Sequence, residues 1–228
     1  MSPIVVVFPL YPGVTQLDFT GPHQVFSRLP GAHVIAGSIG GQDIEADGLV
    51  FSHLADLTEV KDCDLLCVPG GVGTVEAMLD EIYMAQVRRL GAGARFVTSV
   101  CTGSLILAAA GFLKGKRAAT HWAWRDLLTP FDVTISEARV ERDGNVFTGG
   151  GVTAGIDLGL TVAAHVAGEN MAQAIQLTLE YAPDPPFEAG RPELVRPEIL
   201  EQVKARIAPV VDARRAAAVE AARRLQAA

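Results

Sequence analysis

The sequence predicts an α/β fold, an open and mostly parallel β-sheet with helices on both faces. Three observations predict it. Short continuous apolar runs, each closed by Gly or Pro turns, alternate with helical stretches from end to end, as βα units require. Those runs are apolar throughout rather than every second residue, which marks strands covered on both faces. Residues 95–113, RFVTSVCTGSLILAAAGFL, read as a buried strand, a sharp turn at Cys101, and an apolar helix.

The first run, residues 4–8, is a buried strand followed by the turn residues Tyr11-Pro12-Gly13. Pro22 suits the first turn of a helix, which predicts a helix over 23–29 with Asp18 in the loop before it. A second strand spans 33–38. A hairpin is expected over 44–52 about Asp47-Gly48. Residues 64–68 form another buried strand, ending in Pro69-Gly70-Gly71-Val72-Gly73. One helix is expected over 74–90, stopped by Gly91 and Gly93. After the Cys101 turn come a short strand over 118–121 and a short helix over 122–128. Residues 133–139 and 145–148 suggest a hairpin about Asp143-Gly144. Helices follow over 153–167 and 172–181. The proline-rich APDPPFEAGRP must be irregular. A last helix spans 197–225, with Pro209 as a kink and Leu200, Val203, Ile207, Val210 and Val211 as its apolar face. Lys204, Arg206, Arg214, Arg215, Arg223 and Arg224 read as its solvated face. The expected division is a catalytic unit over 1–190 and a helical extension over 191–228, packed on the domain or on a partner subunit.

In such sheets, sites lie beyond the carboxyl ends of the strands. Three features fall there: Asp18 after the first strand, Gly70-Gly71 after another, and Cys101 after a third. A cysteine at a strand-to-helix turn sits at the positive end of the helix dipole, where a thiol pKa is lowered. The arrangement parallels the nucleophile elbow of serine hydrolases, with sulfur for oxygen. The plainer alternative is a small buried hydrophobe. Asp18 is alternatively a loop or capping aspartate. The Gly70-Gly71-Val72 turn is a simple bend or a set of backbone donors for a developing negative charge. His121, beside Trp122 and Trp124, is either a second catalytic group or a packed core residue. Asp157, near a helix start, has a sufficient role against the dipole.

Composition narrows the function. The 228 residues are 49% hydrophobic, enough for a sizeable core, and carry a net charge of −7. An acidic chain without a basic stripe is not expected to bind nucleic acid. No apolar run approaches a membrane span, and the first residues lack the basic flank of a signal peptide. A cytoplasmic location is therefore expected. The three cysteines do not make a disulfide framework. Cys63 and Cys67 on one strand would stand ~13 Å apart, too far for a bridge. No metal-ligand spacing is present among the five histidines and three cysteines.

The segments VCTGSLILAAAGFLKGKRAATHW, QLDFTGPHQVF and RDGNVFTGGGVTAGIDLGL resemble the PfpI-type superfamily, whose fold is flavodoxin-like and class I glutamine amidotransferase-like. Within it the chain most resembles the isocyanide hydratases of the cyclohexyl-isocyanide type. That similarity continues through LEYAPDPPFEAGRP and the terminal helix. The resemblance implies a cofactor-free homodimer that adds water to an isocyanide to give an N-substituted formamide. It maps the nucleophile to Cys101 and the acid to Asp18, with Thr102 adjacent, and a backbone pocket to Gly70, Gly71 and Val72. Much of the superfamily has Glu where this chain has Asp18. Two other enzyme or sensor readings use the same cysteine: a glyoxalase or deglycase acting on 2-oxoaldehydes, and a redox sensor. AraC-type regulators carry a similar elbow domain, but an acidic chain of this length leaves little room for two helix-turn-helix motifs.

Overall fold

Residues Ile4–Pro9, IVVVFP, form β1, buried along nearly its whole length. In the computed structural model, which describes residues 3–227, β1 lies inside a seven-stranded sheet, next to its central strand. The outermost residues of the expected units, 1–2 and 228, lie outside the described residues. The chain continues through α1 (Gln16–Phe26), β2 (Ala32–Ser38), the hairpin β3 (Ile44–Ala46) and β4 (Leu49–Phe51), β5 (Ala55–Asp56) and β6 (Leu65–Val68). Then come α2 (Thr74–Leu79), α3 (Glu81–Gly93), β7 (Phe96–Val100), α4 (Gly103–Ala109) and β8 (Arg117–Ala119). A 3-10 segment (Trp122–Phe131), β9 (Thr134–Ser136), β10 (Val140–Asp143), β11 (Val146–Gly149), α5 (Ala154–Ala167), α6 (Glu169–Thr178) and α7 (Pro197–Ala227) complete it.

The sheet order is β10-β11-β7-β6-β1-β2-β5. Its pairings are parallel except β10 with β11. The chain winds outward from β1 in both directions, so a topological switch point lies between β1 and β6, where such folds build sites. The α/β expectation holds: a mostly parallel sheet between helices, as the flavodoxin-like fold requires. The hairpin about Asp47-Gly48 is present, and both residues have positive φ (53° and 80°), as a type I′ turn demands.

Four expectations change. The first helix begins at Gln16, so Asp18 lies in its first turn and Pro22 inside it. Pro22 forfeits one helical hydrogen bond, and close packing on α5 offsets the loss: a Cβ on Gly155 would lie 2.9 Å from Pro22 Cδ, and one on Gly159 3.0 Å from Val25 Cβ. The single helix over 74–90 is two, because Asp80 turns extended and caps α3 by accepting from the Ile82 and Tyr83 N–H groups at 2.9 and 3.0 Å. The second hairpin uses β10 against β11; the earlier segment forms β9 instead and pairs parallel with β8. On α7 the buried stripe is Arg214, Ala217, Ala218, Ala221 and Ala222, whereas the expected apolar face over 200–211 remains half-exposed or exposed.

The sheet's carboxyl end is shaped by two glycines. A Cβ on Gly103 would lie 2.1 Å from the Val68 carbonyl oxygen, and one on Gly70 would lie 2.5 Å from the Thr102 amide nitrogen. Strand ends β6 and β7 therefore touch backbone to backbone. Gly103→Ala must push them apart, and overpacking of this kind costs about 2 kcal/mol or more. The expected result is a thermal midpoint lower by about 5 °C; an unchanged midpoint would contradict the close approach.

Candidate active site

Cys101 joins β7 to α4 with a φ of 55°, a left-handed conformation that a non-glycine residue holds only under constraint. Three hydrogen bonds supply it. The Cys101 N–H donates to the Gly149 carbonyl at 3.1 Å. Its own carbonyl accepts from the Thr120 hydroxyl at 3.0 Å and from Ser104 at 3.1 Å. Strand β11 and the segment after β8 thus hold the elbow from outside, while α4 grips it from within.

Asp18 enters from α1, is fully buried, and has one Oδ2 bond, accepted from the Gly70 N–H at 2.9 Å. Its other oxygen, Oδ1, is buried without a hydrogen-bond partner. The Gly71 N–H donates to Thr102 Oγ1 at 3.0 Å. That hydroxyl also lies 2.7 Å from Thr74 Oγ1, which donates to the Gly71 carbonyl at 2.8 Å. Tyr11 closes the network by donating to the Pro69 carbonyl at 2.9 Å.

The structure brings Asp18, Gly70, Gly71, Cys101 and Thr102 together. It revises how the glycines serve. The amides of Gly70 and Gly71 are not open toward a ligand; they hold the Asp18 and Thr102 side chains. The Thr102 hydroxyl holds the Gly71 turn, and its side chain also lies against the Cys101 thiol, where it favours the thiolate. Val72 projects into solvent at the turn's tip. His121 is not part of the cluster: its Nδ1 accepts from the Ala123 N–H at 3.3 Å and starts the 3-10 segment. Burial and the nearby Arg214 and Arg125 charges lower its pKa, keeping the ring neutral. Asp157 exceeds its expected dipole role, since Arg139 Nε and the Tyr181 hydroxyl donate to its Oδ2 at 2.8 and 3.0 Å.

The expectation that the elbow lowers the thiol pKa fails. Burial pushes the Cys101 thiol well above its ordinary value, and the Asp18 charge adds to the rise, outweighing the Thr102 N–H that favours the thiolate. Burial also pushes the Asp18 carboxyl up to about 7, against the pull of the Gly70 N–H and the Cys101 thiol. Both groups resist ionisation, so the pair keeps at least one proton well above neutrality. Cys63 and Cys67, pushed up to about 12 by burial, are structural.

The family model for the DJ-1/PfpI family matches residues 5–165. The chain belongs to the DJ-1/PfpI family. Its curated relatives include an isonitrile hydratase of Pseudomonas putida, 46% identical over 205 residues, which span 89% of each chain. A crystal structure of a ThiJ/PfpI family protein from Pseudomonas syringae superposes with a TM-score of 0.91 at 38% identity, covering 97% of this chain and 91% of that one. A helix-turn-helix transcriptional regulator of Pseudomonas aeruginosa is 29% identical over 174 residues, 72% of this chain but 51% of the regulator. The relatives of this chain thus include both an enzyme and a regulator.

Sequence reasoning located Cys101 and Asp18 but missed Arg214. This residue comes from α7, is 9% exposed, and stacks on Trp124 with its guanidinium carbon 4.2 Å from the ring centroid. The spacing 214, 217, 218, 221, 222 puts it on the buried alanine stripe, which was the available signal.

The Asp18 shift has a consequence for stability. With a folded pKa of about 7 against an ordinary 3.8, the folded protein holds a proton that the unfolded chain releases between those values. Stability therefore falls as pH rises from about 4 to 7. Asp18→Asn removes the decline. Urea unfolding is expected to find the variant up to about 4 kcal/mol more stable than wild type at pH 8 and nearly equal at pH 4. Equal differences at both pH values would contradict the raised pKa.

Proposed function

We propose that this protein is an isocyanide hydratase, adding water to an isocyanide to give an N-substituted formamide with Cys101 as nucleophile and Asp18 as general acid and base. The observation carrying the reading is the buried Asp18 carboxyl, its Oδ1 free of any other hydrogen-bond partner, electrostatically coupled to the elbow thiol of Cys101. The Pseudomonas putida isonitrile hydratase supports the substrate class, isonitrile being another word for isocyanide.

An isocyanide carbon must accept both a nucleophile and a proton. A thiol and carboxylate sharing one proton supply both. Sulfur bonds to the terminal carbon while the shared proton passes through Asp18 to the same carbon, giving the thioimidate R–N=CH–S–Cys101. Asp18, now a carboxylate, takes a proton from water as its oxygen adds to that carbon. The proton goes to nitrogen. Collapse of R–NH–CH(OH)–S–Cys101 breaks the C–S bond, and the pair returns to sulfur. The hydroxyl proton returns to Asp18, and R–NH–CHO leaves. Oxygen comes from water and every proton is accounted for, with no cofactor in any step. Thr102 keeps the turn rigid between the reacting groups.

The same reading divides the chain near residue 190 into a catalytic unit and a helical extension. It takes the active form as a homodimer in the cytoplasm. Three unbridged cysteines support a reducing compartment. No helix among the described residues is long and apolar enough to cross a membrane. Leu49 and Val50, adjacent and exposed on the β3–β4 hairpin, support self-association.

The test is formamide production from cyclohexyl isocyanide. Wild type should turn over; Cys101→Ala and Asp18→Asn should lose activity by at least about a hundredfold, the usual worth of a positioned acid–base group. Methylglyoxal turnover without isocyanide turnover would shift the assignment to the glyoxalase reading. Between pH 5 and 8 the rate should rise through about 7, as Asp18 loses the second proton of the pair. A flat profile would remove Asp18 from the proton path.

A further inference from the structure

We propose that Arg214, on the C-terminal helix α7, is a positioning residue of the active site, serving as counter-charge to the Cys101 thiolate and as tether of the Gly70-Gly71-Val72 turn. A buried guanidinium needs a reason, since removing an unpaired cation from water is costly. Arg214 has no carboxylate within ion-pair distance among the described residues. Its one hydrogen bond is a long one from Nη2 to the Val72 carbonyl, 3.4 Å. Its face lies on the Trp124 ring at 4.2 Å, an energetically favourable platform for a desolvated cation. Helix α7 packs on α2, α4 and the 3-10 segment, the elements around the elbow.

Arg214 reaches the site through the Val72 carbonyl, one residue from the Gly71 whose N–H holds Thr102, the neighbour of Cys101. The Cys101 thiol, Glu76 of α2 and the Tyr11 hydroxyl act on it, and it acts in turn on His121 of the 3-10 segment. Cys101 itself lies against Asp18, whose charge opposes its ionisation. Arg214 is therefore the cation among acids. When sulfur holds negative charge before attack or after C–S cleavage, Arg214 opposes the burial that disfavours it. The Val72 tether ties this charge to the same turn whose amides hold Asp18 and Thr102. The α7 extension thus contributes to chemistry besides covering the core.

The proposal concerns the thiol, not the substrate, so iodoacetamide alkylation of Cys101 against pH tests it even if no isocyanide is turned over. Arg214→Met keeps the bulk and removes the charge; Arg214→Lys keeps the charge. Expected is a midpoint about one pH unit higher in Arg214→Met, with roughly tenfold slower alkylation below it, as for loss of one nearby opposite charge. Arg214→Lys should return the rate to within about twofold of wild type. Circular dichroism checks that both are folded. A folded Arg214→Met that alkylates like wild type, or an Arg214→Lys shifted as far as Arg214→Met, overturns the proposal. If Arg214→Met does not fold, Glu76→Gln decides. Residue 76 is exposed, and removing its charge frees Arg214 to act on sulfur, so alkylation should quicken; an unchanged rate overturns the proposal.

Discussion

Two strand ends meet closer than any side chain permits, and the site depends on that contact. Gly103 and Gly70 let the turns after β6 and β7 touch backbone to backbone. Once they touch, the Gly70 and Gly71 amides fall within reach of Asp18 and Thr102. The elbow's left-handed φ is then held by β11 through Gly149 and by Thr120. Helix α1 approaches equally closely, because α5 presents Gly155 and Gly159 where it crosses. Backbone proximity, set by small residues, fixes where the thiol and carboxyl stand.

The chemistry then follows from what burial does to two acids. Each would be ionised more readily in water than it is here. Apart, each would only be a weaker nucleophile or a neutral acid. In the proposed reaction the singly protonated pair offers a nucleophile and a proton donor together, matching a substrate that needs both at one carbon. The dipole of a helix as short as α4 does not reverse the effect of burial on the thiol.

Much of this was legible in the residues. Continuous apolar runs marked β1, β6 and β7, and a β-rich run before CTGS marked the elbow. Asp47-Gly48 marked its hairpin because both positions need positive φ. Other features depended on tertiary contacts. Pro22 reads as a helix start, yet α1 accommodates it inside because α5 makes up for the lost bond. The role of Asp80 as a cap was masked by apolar spacing that runs on across it. Glycine amides read as free donors, because sequence does not show which side chains claim them. Arg214 looked like one basic residue among several on a surface helix; only the alanines beyond it, spaced to face inward, set it apart.

The unpartnered oxygen of Asp18 bears on how such a protein responds to selection. A carboxyl kept dry and short of hydrogen bonds is a standing debit against folding, tolerated because the surrounding sheet holds it in place. Asparagine, which can still accept from the Gly70 N–H, relieves it. A search for more robust variants of this fold, run without an assay for turnover, would therefore discard the acid early and keep a sturdier, inert protein. Persistence of an aspartate at such a position is thus itself a sign that something other than stability maintains it.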